Sequence, residues 1–255
     1  MLELLWLFLV AVGLQLVFFV PAYFLKTDKF TDFTYGVTFM AMAYLALVSS
    51  SPNPAKKILF ALILIWALRL VFYLSRRILK TRHDWRFNGV RENFRKFLMF
   101  WAFQGAAAWV IMLPALLLFF KPYVEISLVM VLGLWVWIAG LTIESVADKQ
   151  KYEFRADPKN DRKWVDTGLW RYSRHPNYFG EVLCWVGVYL FTYTNLSYSE
   201  RIIGLASPLL ITSMLLFVTG IPALEKAADT RWGKLKAYKE YKRRTSPFLI
   251  LPQRK

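Results

Sequence analysis

The sequence predicts an all-α, polytopic membrane protein: one domain over residues 1–255, built from seven transmembrane helices. Three observations carry that reading. The chain is 57% hydrophobic and 18% aromatic. Its apolar residues gather into runs near the roughly 20 residues that a helix needs to cross ~30 Å of hydrocarbon. Its formal charge of +16 is concentrated in a few of the segments between those runs.

In order, the runs are about 2–25, 31–50, 55–79, 96–120, 123–147, 177–194 and 201–224. The first has no basic stretch before it and no small-residue cleavage site, so it reads as a retained span and not a leader. None of the runs alternates with a period of two, and lipid obliges the backbone to satisfy its own hydrogen bonds, so helices are expected and a barrel is not. Pro21, Pro114, Pro208 and Pro222 lie within or at the ends of runs, where neighbouring helices absorb a kink.

Charge sets the expected orientation. Segments 26–30, 76–96, 149–175 and 225–255 hold 28 of the Lys and Arg residues, while 51–57, 121–122 and 195–201 hold 4. By the positive-inside rule the rich segments are cytoplasmic. Seven alternating spans satisfy this with the N-terminus outside and the C-terminus in the cytoplasm, in a bacterial inner membrane or the endoplasmic reticulum. The basic tail 225–255 is then placed to close a cytoplasmic site. Cys184 is the one cysteine, which excludes an internal disulfide, and His83 and His175 are the two histidines, too few for a dedicated zinc site.

Charged residues inside spans are costly and commonly mark a site. Arg69, Tyr73, Arg76 and Lys80 follow helical spacing along one face of the third run. Glu144, Asp148, Lys151 and Arg155 do the same on the fifth. Snorkelling to head groups is the plain alternative for the outer members, and an Arg69–Asp148 ion pair is another; a ligand cavity is preferred. "GLWRYSRHPNYFGE" supplies a third wall. Its proline sits where the sixth helix begins, and a helix N-terminus beside Arg171, Arg174 and His175 suits phosphate. The tail "YKEYKRRTSPF" adds Tyr238 and Tyr241 among basic residues, a composition that also suits anionic membrane lipid. Nucleic acid is not an expected partner, because the charge is spread over separate segments without a binding motif. Arginines for phosphate, aromatics for stacking and Asn177 for an amide or ribose together suit NADPH. The chain contains no G-x-G-x-x-G, so helices would have to hold the dinucleotide.

"DTGLWRYSRHPNYFGE", with "ESVADKQKYEFR" before it and "YKEYKRRTSPFLILP" after it, resembles the steroid 5α-reductase-like membrane proteins, bacterial members in particular. It is also similar to the sterol C14 and C24(28)-type reductases and, more distantly, to isoprenylcysteine methyltransferases. The resemblance runs from about Arg69 to the C-terminus. It implies a seven-helix bundle opening to the cytoplasm and NADPH as hydride donor. The implied reaction is reduction of a carbon–carbon double bond in a hydrophobic enone, such as a 3-oxo-Δ4-steroid or related lipid, that enters from the membrane. By motif, Arg69 and Tyr73 match the third helix, and Asp148, Lys151 and Arg155 the fifth. Asn177, Gly180, Glu181 and Trp185 match Asn-x-x-Gly-Glu-x-x-x-Trp of the sixth, and Tyr241 matches the tail. Glu225 and Lys226 lie near where the animal enzymes carry an Arg and a His.

Hydride delivery to an enone β-carbon leaves charge on the carbonyl oxygen, which calls for a donor aimed there. Where the animal enzymes carry a tyrosine in the third helix this chain has Trp66, so Asp32 and Tyr178 are the acid candidates. For Asp32 a helix-capping role competes. Two rival readings remain. A methyltransferase using S-adenosylmethionine on an isoprenylcysteine or phospholipid fits a cationic pocket poorly. A non-enzymatic lipid-binding or transport protein would need charges on the outer half as well.

Overall fold

The structure, a computed structural model, describes residues 2–81 and 87–254, with side chains described at all of these positions except 76–81. The stripe positions Arg76 and Lys80, and His83, therefore lie outside the described side chains. Nine α-helices are seen among the described residues: α1 (Leu2–Phe24), α2 (Thr31–Val48), α3 (Pro54–Thr81), α4 (Phe94–Phe119), α5 (Leu128–Ala156), α6 (Pro176–Tyr193), α7 (Tyr198–Ser213), α8 (Ile221–Trp232) and α9 (Lys236–Arg244). There is no strand among them, only an isolated parallel bridge between Ser173 and Ser246.

Six helical stretches among the described residues are long and apolar enough to cross a membrane: α1, α2, Pro54–Ser75 of α3, α4, α5 and the Tyr198–Trp232 stretch. α6 is a helix of 18 residues but is not among these six. The fifth run starts at Leu128 and not at 123, beyond a loop tied by Asn195. The Asn195 side chain accepts from the Glu125 amide at 2.8 Å and donates to the Glu125 carbonyl at 3.0 Å. The last run is broken. Pro208 lies inside α7, residues Met214–Val218 widen into a π turn, and α8 starts afresh after Gly220 with Pro222 in its first turn. Proline removes a donor from the ladder, and a π turn is one way the helix absorbs the mismatch.

The chain divides into two compact units, Met1–Met130 with Phe191–Ser207, and Val131–Leu190 with Pro208–Lys255. In the first, aromatic packing joins α1 to α4. Phe19, Ala22, Phe97 and Trp101 form a buried cluster, with the Phe19 and Phe97 rings edge to face at 5.8 Å. Gln15 donates to Thr38 Oγ1 at 2.9 Å across α1 and α2, while the buried Thr31, Thr34 and Thr38 hydroxyls bond back to carbonyls of their own chain segment, so these interior hydroxyls are satisfied. Arg91 clamps the buried Asp28 at 2.7 Å, tying the α1–α2 turn to the segment before α4.

In the second unit α5 and α6 pack backbone to backbone. A Cβ placed at Gly180 would lie 2.6 Å from the Glu144 amide nitrogen and the Gly140 carbonyl oxygen, and one at Gly187 would lie 2.6 Å from the Trp137 nitrogen. A seam of this kind lets membrane helices gain dispersion contacts where lipid offers no hydrophobic drive. Gly180, read from the sequence as part of a ligand motif, is what allows the two helices to meet.

Candidate functional site

The site in the second unit is built where the C-terminal half of α5 meets the segment 164–178. Four contacts join them. Asn177 Nδ2, in the first turn of α6, donates to the buried Asp148 Oδ1 at 3.2 Å. The Lys151 ammonium sits 4.7 Å from the centre of the Trp170 ring, whose indole N–H donates to the Ala147 carbonyl at 3.0 Å. Gln150 Oε1 accepts from the Leu169 amide at 2.9 Å. Gly168 makes this last contact possible: its φ is +59°, a left-handed conformation, and a Cβ there would lie 2.5 Å from the Gln150 side chain. Trp185 is buried about two turns further along α6, Glu181 is half-buried, and Arg155 is exposed in the last turn of α5, where a cation complements the carboxyl end of the helix.

Next to these links lies a network whose hub is Glu225 of α8. Its carboxylate accepts from Arg174 Nε at 3.0 Å and Nη2 at 3.1 Å, from His175 Nε2 at 2.9 Å, and from Lys242 Nζ at 3.0 Å. Arg174 Nη1 meanwhile donates to the Lys242 and Thr245 carbonyls at 2.8 and 2.9 Å, closing the end of α9. Arg174 is thus committed to holding the tail, which corrects its expected place beside phosphate. Because a carboxylate only accepts, the proton of a neutral His175 ring belongs on Nε2. Burial, the largest influence, pulls His175 below its ordinary value and keeps the ring neutral; Lys151 and Arg174 act the same way, against Glu225. Nδ1 is then a buried acceptor, and it has no partner among the described residues.

The tyrosines pack among these residues. Tyr178 stacks on His175 with ring centres 5.7 Å apart and planes 12° apart. Tyr238 is buried in an aromatic group with Trp164 and Trp232. The Tyr241 hydroxyl donates to the Trp170 carbonyl at 2.7 Å, and burial pushes its pKa up, so it stays a donor at any physiological pH. Arg171 is exposed and lies on a separate cavity beside Asp166 and Glu240, with carboxylates for neighbours where the sequence had suggested only phosphate.

Asp32, Arg69 and Tyr73 belong to the first unit. Arg69 is half-buried with its guanidinium 6.0 Å from the Tyr73 ring centre, Asp32 sits in the first turn of α2, and Trp66 is buried edge to face against Phe39 at 5.0 Å. No group of three or more metal-ligating side chains occurs among the described residues. Two parts of the site were not legible in advance: Gln150, which looks like any polar helix residue, and the hub role of Glu225, whose partners are some 50 residues away in the chain.

These features define a multi-pass integral membrane protein that carries a polar, charged site on an otherwise apolar helical frame. The family model described as "protein of unknown function (DUF1295)" matches residues 18–245, and the chain belongs to that family. No curated protein and no solved structure matches it.

Proposed function

We propose that the protein is a seven-span membrane reductase, with its N-terminus outside and its C-terminus in the cytoplasm, that uses NADPH to saturate the double bond of a hydrophobic enone. The observation that carries this reading is the joining of Asp148 and Lys151 of α5 to Asn177 and Trp170, two residues and five residues from the buried His175 with its unspent acceptor, a set of cation, amide and acceptor on an apolar frame. Those residues suit a dinucleotide. Lys151 and Arg155 provide charge for phosphates. Asn177, oriented by Asp148, keeps its carbonyl oxygen for a donor, and His175 Nδ1 is an acceptor for a hydroxyl or an amide N–H. NADPH, when bound, supplies the hydride. The chain's part is to hold it against a water-poor surface and to offer a donor toward the enone oxygen, for which Asp32 and Tyr178 are the proposed groups.

A cationic surface suits an anionic dinucleotide better than a sulfonium donor, which is why reduction is preferred to methyl transfer. The test is direct. Protein purified in detergent should retain NADPH at up to one equivalent, and Asn177→Ala should weaken that binding about two- to tenfold, the effect of losing a neutral hydrogen bond worth roughly 0.5–1.5 kcal/mol. Unchanged binding in Asn177→Ala and Lys151→Ala would sink the assignment.

A further inference from the structure

A cavity of about 450 Å³ in the second unit is lined by Asp166, Arg171, Glu240, Tyr241, Arg244 and Gln253, among others. We propose that it binds a phosphoethanolamine-type zwitterion, a phosphate ester bearing a primary ammonium, whether as a phospholipid head group or free in solution. This site is independent of the proposed reductase chemistry.

The argument is one of charge. Two cations and two anions face the cavity, so it has no net charge to attract a simple ion. Glu240 and Arg244 close on each other at 2.8 Å, and Glu240 also takes Arg243 at 2.7 Å. Asp166 and Arg171 are left, both exposed, and neither forms an ion pair among the described residues. A lone anion on Arg171 would meet Asp166 and Glu240 as like charges lining the same cavity, and a lone cation on Asp166 would meet the two arginines, so repulsion works against attraction in either case. A guest with one charge of each sign escapes both penalties. The planar fork of Arg171 suits phosphate oxygens, and a primary ammonium can hydrogen-bond Asp166.

The walls are fixed in advance. Tyr241 is anchored to the Trp170 carbonyl at 2.7 Å and Gln253 to Thr245 Oγ1 at 3.2 Å. Next in sequence to the lining residue Arg171, the Tyr172 carbonyl accepts from the Leu251 amide at 3.2 Å, and Tyr172, Leu249 and Leu251 are 41, 46 and 45% exposed, apolar surface near in sequence to Arg171 and Gln253 that suits the chains of a lipid.

The experiment uses the full chain, stripped of lipid in detergent and without NADPH. It is titrated with dihexanoyl-phosphatidylethanolamine, dihexanoyl-phosphatidylglycerol and glycerophosphoethanolamine, with retention read by intact-complex mass spectrometry. The ethanolamine lipid should bind at least tenfold more tightly than the glycerol lipid. Arg171→Gln should reduce that binding tenfold or more, and Asp166→Asn should weaken the ethanolamine lipid while strengthening the glycerol lipid, inverting the order. Both positions are exposed, and an unchanged melting temperature verifies that the variants are folded. Equal binding of the two ethanolamine probes assigns a soluble guest, and retention of the lipid alone assigns a head group. If the glycerol lipid binds the wild type as well as the ethanolamine lipid, if Asp166→Asn leaves the order unchanged, or if adenosine 2′-phosphate displaces the probe from the wild type but not from Arg171→Gln, the proposal is overturned.

Discussion

Glu225 gathers Arg174, His175 and Lys242 onto one carboxylate, and through Arg174 it also fixes the last turn of α9. Removing that carboxylate leaves two cations and an imidazole facing a half-buried gap, so Glu225→Ala should destabilise the protein by roughly 3 kcal/mol, the order expected when charge-assisted bonds are lost and their partners stay behind. A thermal melt in detergent measures it, and a loss below about 1 kcal/mol would mean that the tail is held by other contacts. His175 adds a pH dependence. Burial holds its folded-state value below the ordinary 6.5, so between the two values the unfolded chain binds more protons than the folded one. The stabilising contribution is complete above about pH 6.5 and is lost as pH falls through that window. His175→Gln should flatten the slope of melting temperature between pH 7.5 and 5; an equally steep slope would assign it to carboxylates. The ionisable residues of "RYSRHPN" were visible in the sequence as an unusual group, but their division of labour was not. Arg171 and Arg174 are the same residue type three positions apart, and only the fold tells which one meets a carboxylate from α8.

Between α5 and α6 the decisive residues are those without side chains. A methyl group at Gly180 would press on the Glu144 nitrogen and the Gly140 oxygen at 2.6 Å, both backbone atoms that cannot swing aside. Gly180→Ala should therefore cost about 1–3 kcal/mol by overpacking, and by moving Asn177 away from Asp148 it should weaken ligand binding as well. Gly13 of α1 is the control, since nothing lies within 4 Å of a Cβ there and alanine should be neutral or stabilising by about 0.5–1 kcal/mol. If the two variants melted alike, the seam would not govern the packing. Helices of this kind were the most legible part of the sequence, because an apolar run near 20 residues long has few other outcomes: α1 to α4 begin and end within about two residues of the runs that announced them. The break after α7 was hidden for a physical reason. Pro208 and Gly220 are each compatible with a continuing span, and the π turn between them appears only when the local hydrogen bonds are known.

For the whole molecule the decisive property is the sidedness of charge. On the proposed seven-span arrangement, 28 of the cationic residues fall in segments on one side and 4 in those on the other, and the positive-inside rule then puts the basic side in the cytoplasm whichever chemistry occurs there. A reporter fused after Lys255 should accordingly be active only as a cytoplasmic marker. The same sidedness bears on the proposed reaction. NADPH is a water-soluble polyanion and would reach Lys151 and Arg155 from the basic side, whereas a hydrophobic enone would come from lipid, so the two should combine without competing for one route. Given [4-²H]NADPH and a panel of hydrophobic enones, steroid and non-steroid, the protein should oxidise the cofactor and place deuterium on the β-carbon, where conjugation with the carbonyl puts positive character. Arg155→Ala should raise the NADPH concentration needed for half-maximal rate with little change in turnover, because it removes binding of a part of the cofactor that does not react. Asp32→Asn or Tyr178→Phe, whichever removes the group that donates to the enone oxygen, should lower turnover and leave cofactor binding nearly intact. Methyl transfer from S-adenosylmethionine to a lipid acceptor, with no NADPH bound or consumed, would replace reduction as the function, while the network at Glu225 and the α5–α6 seam would stand unchanged.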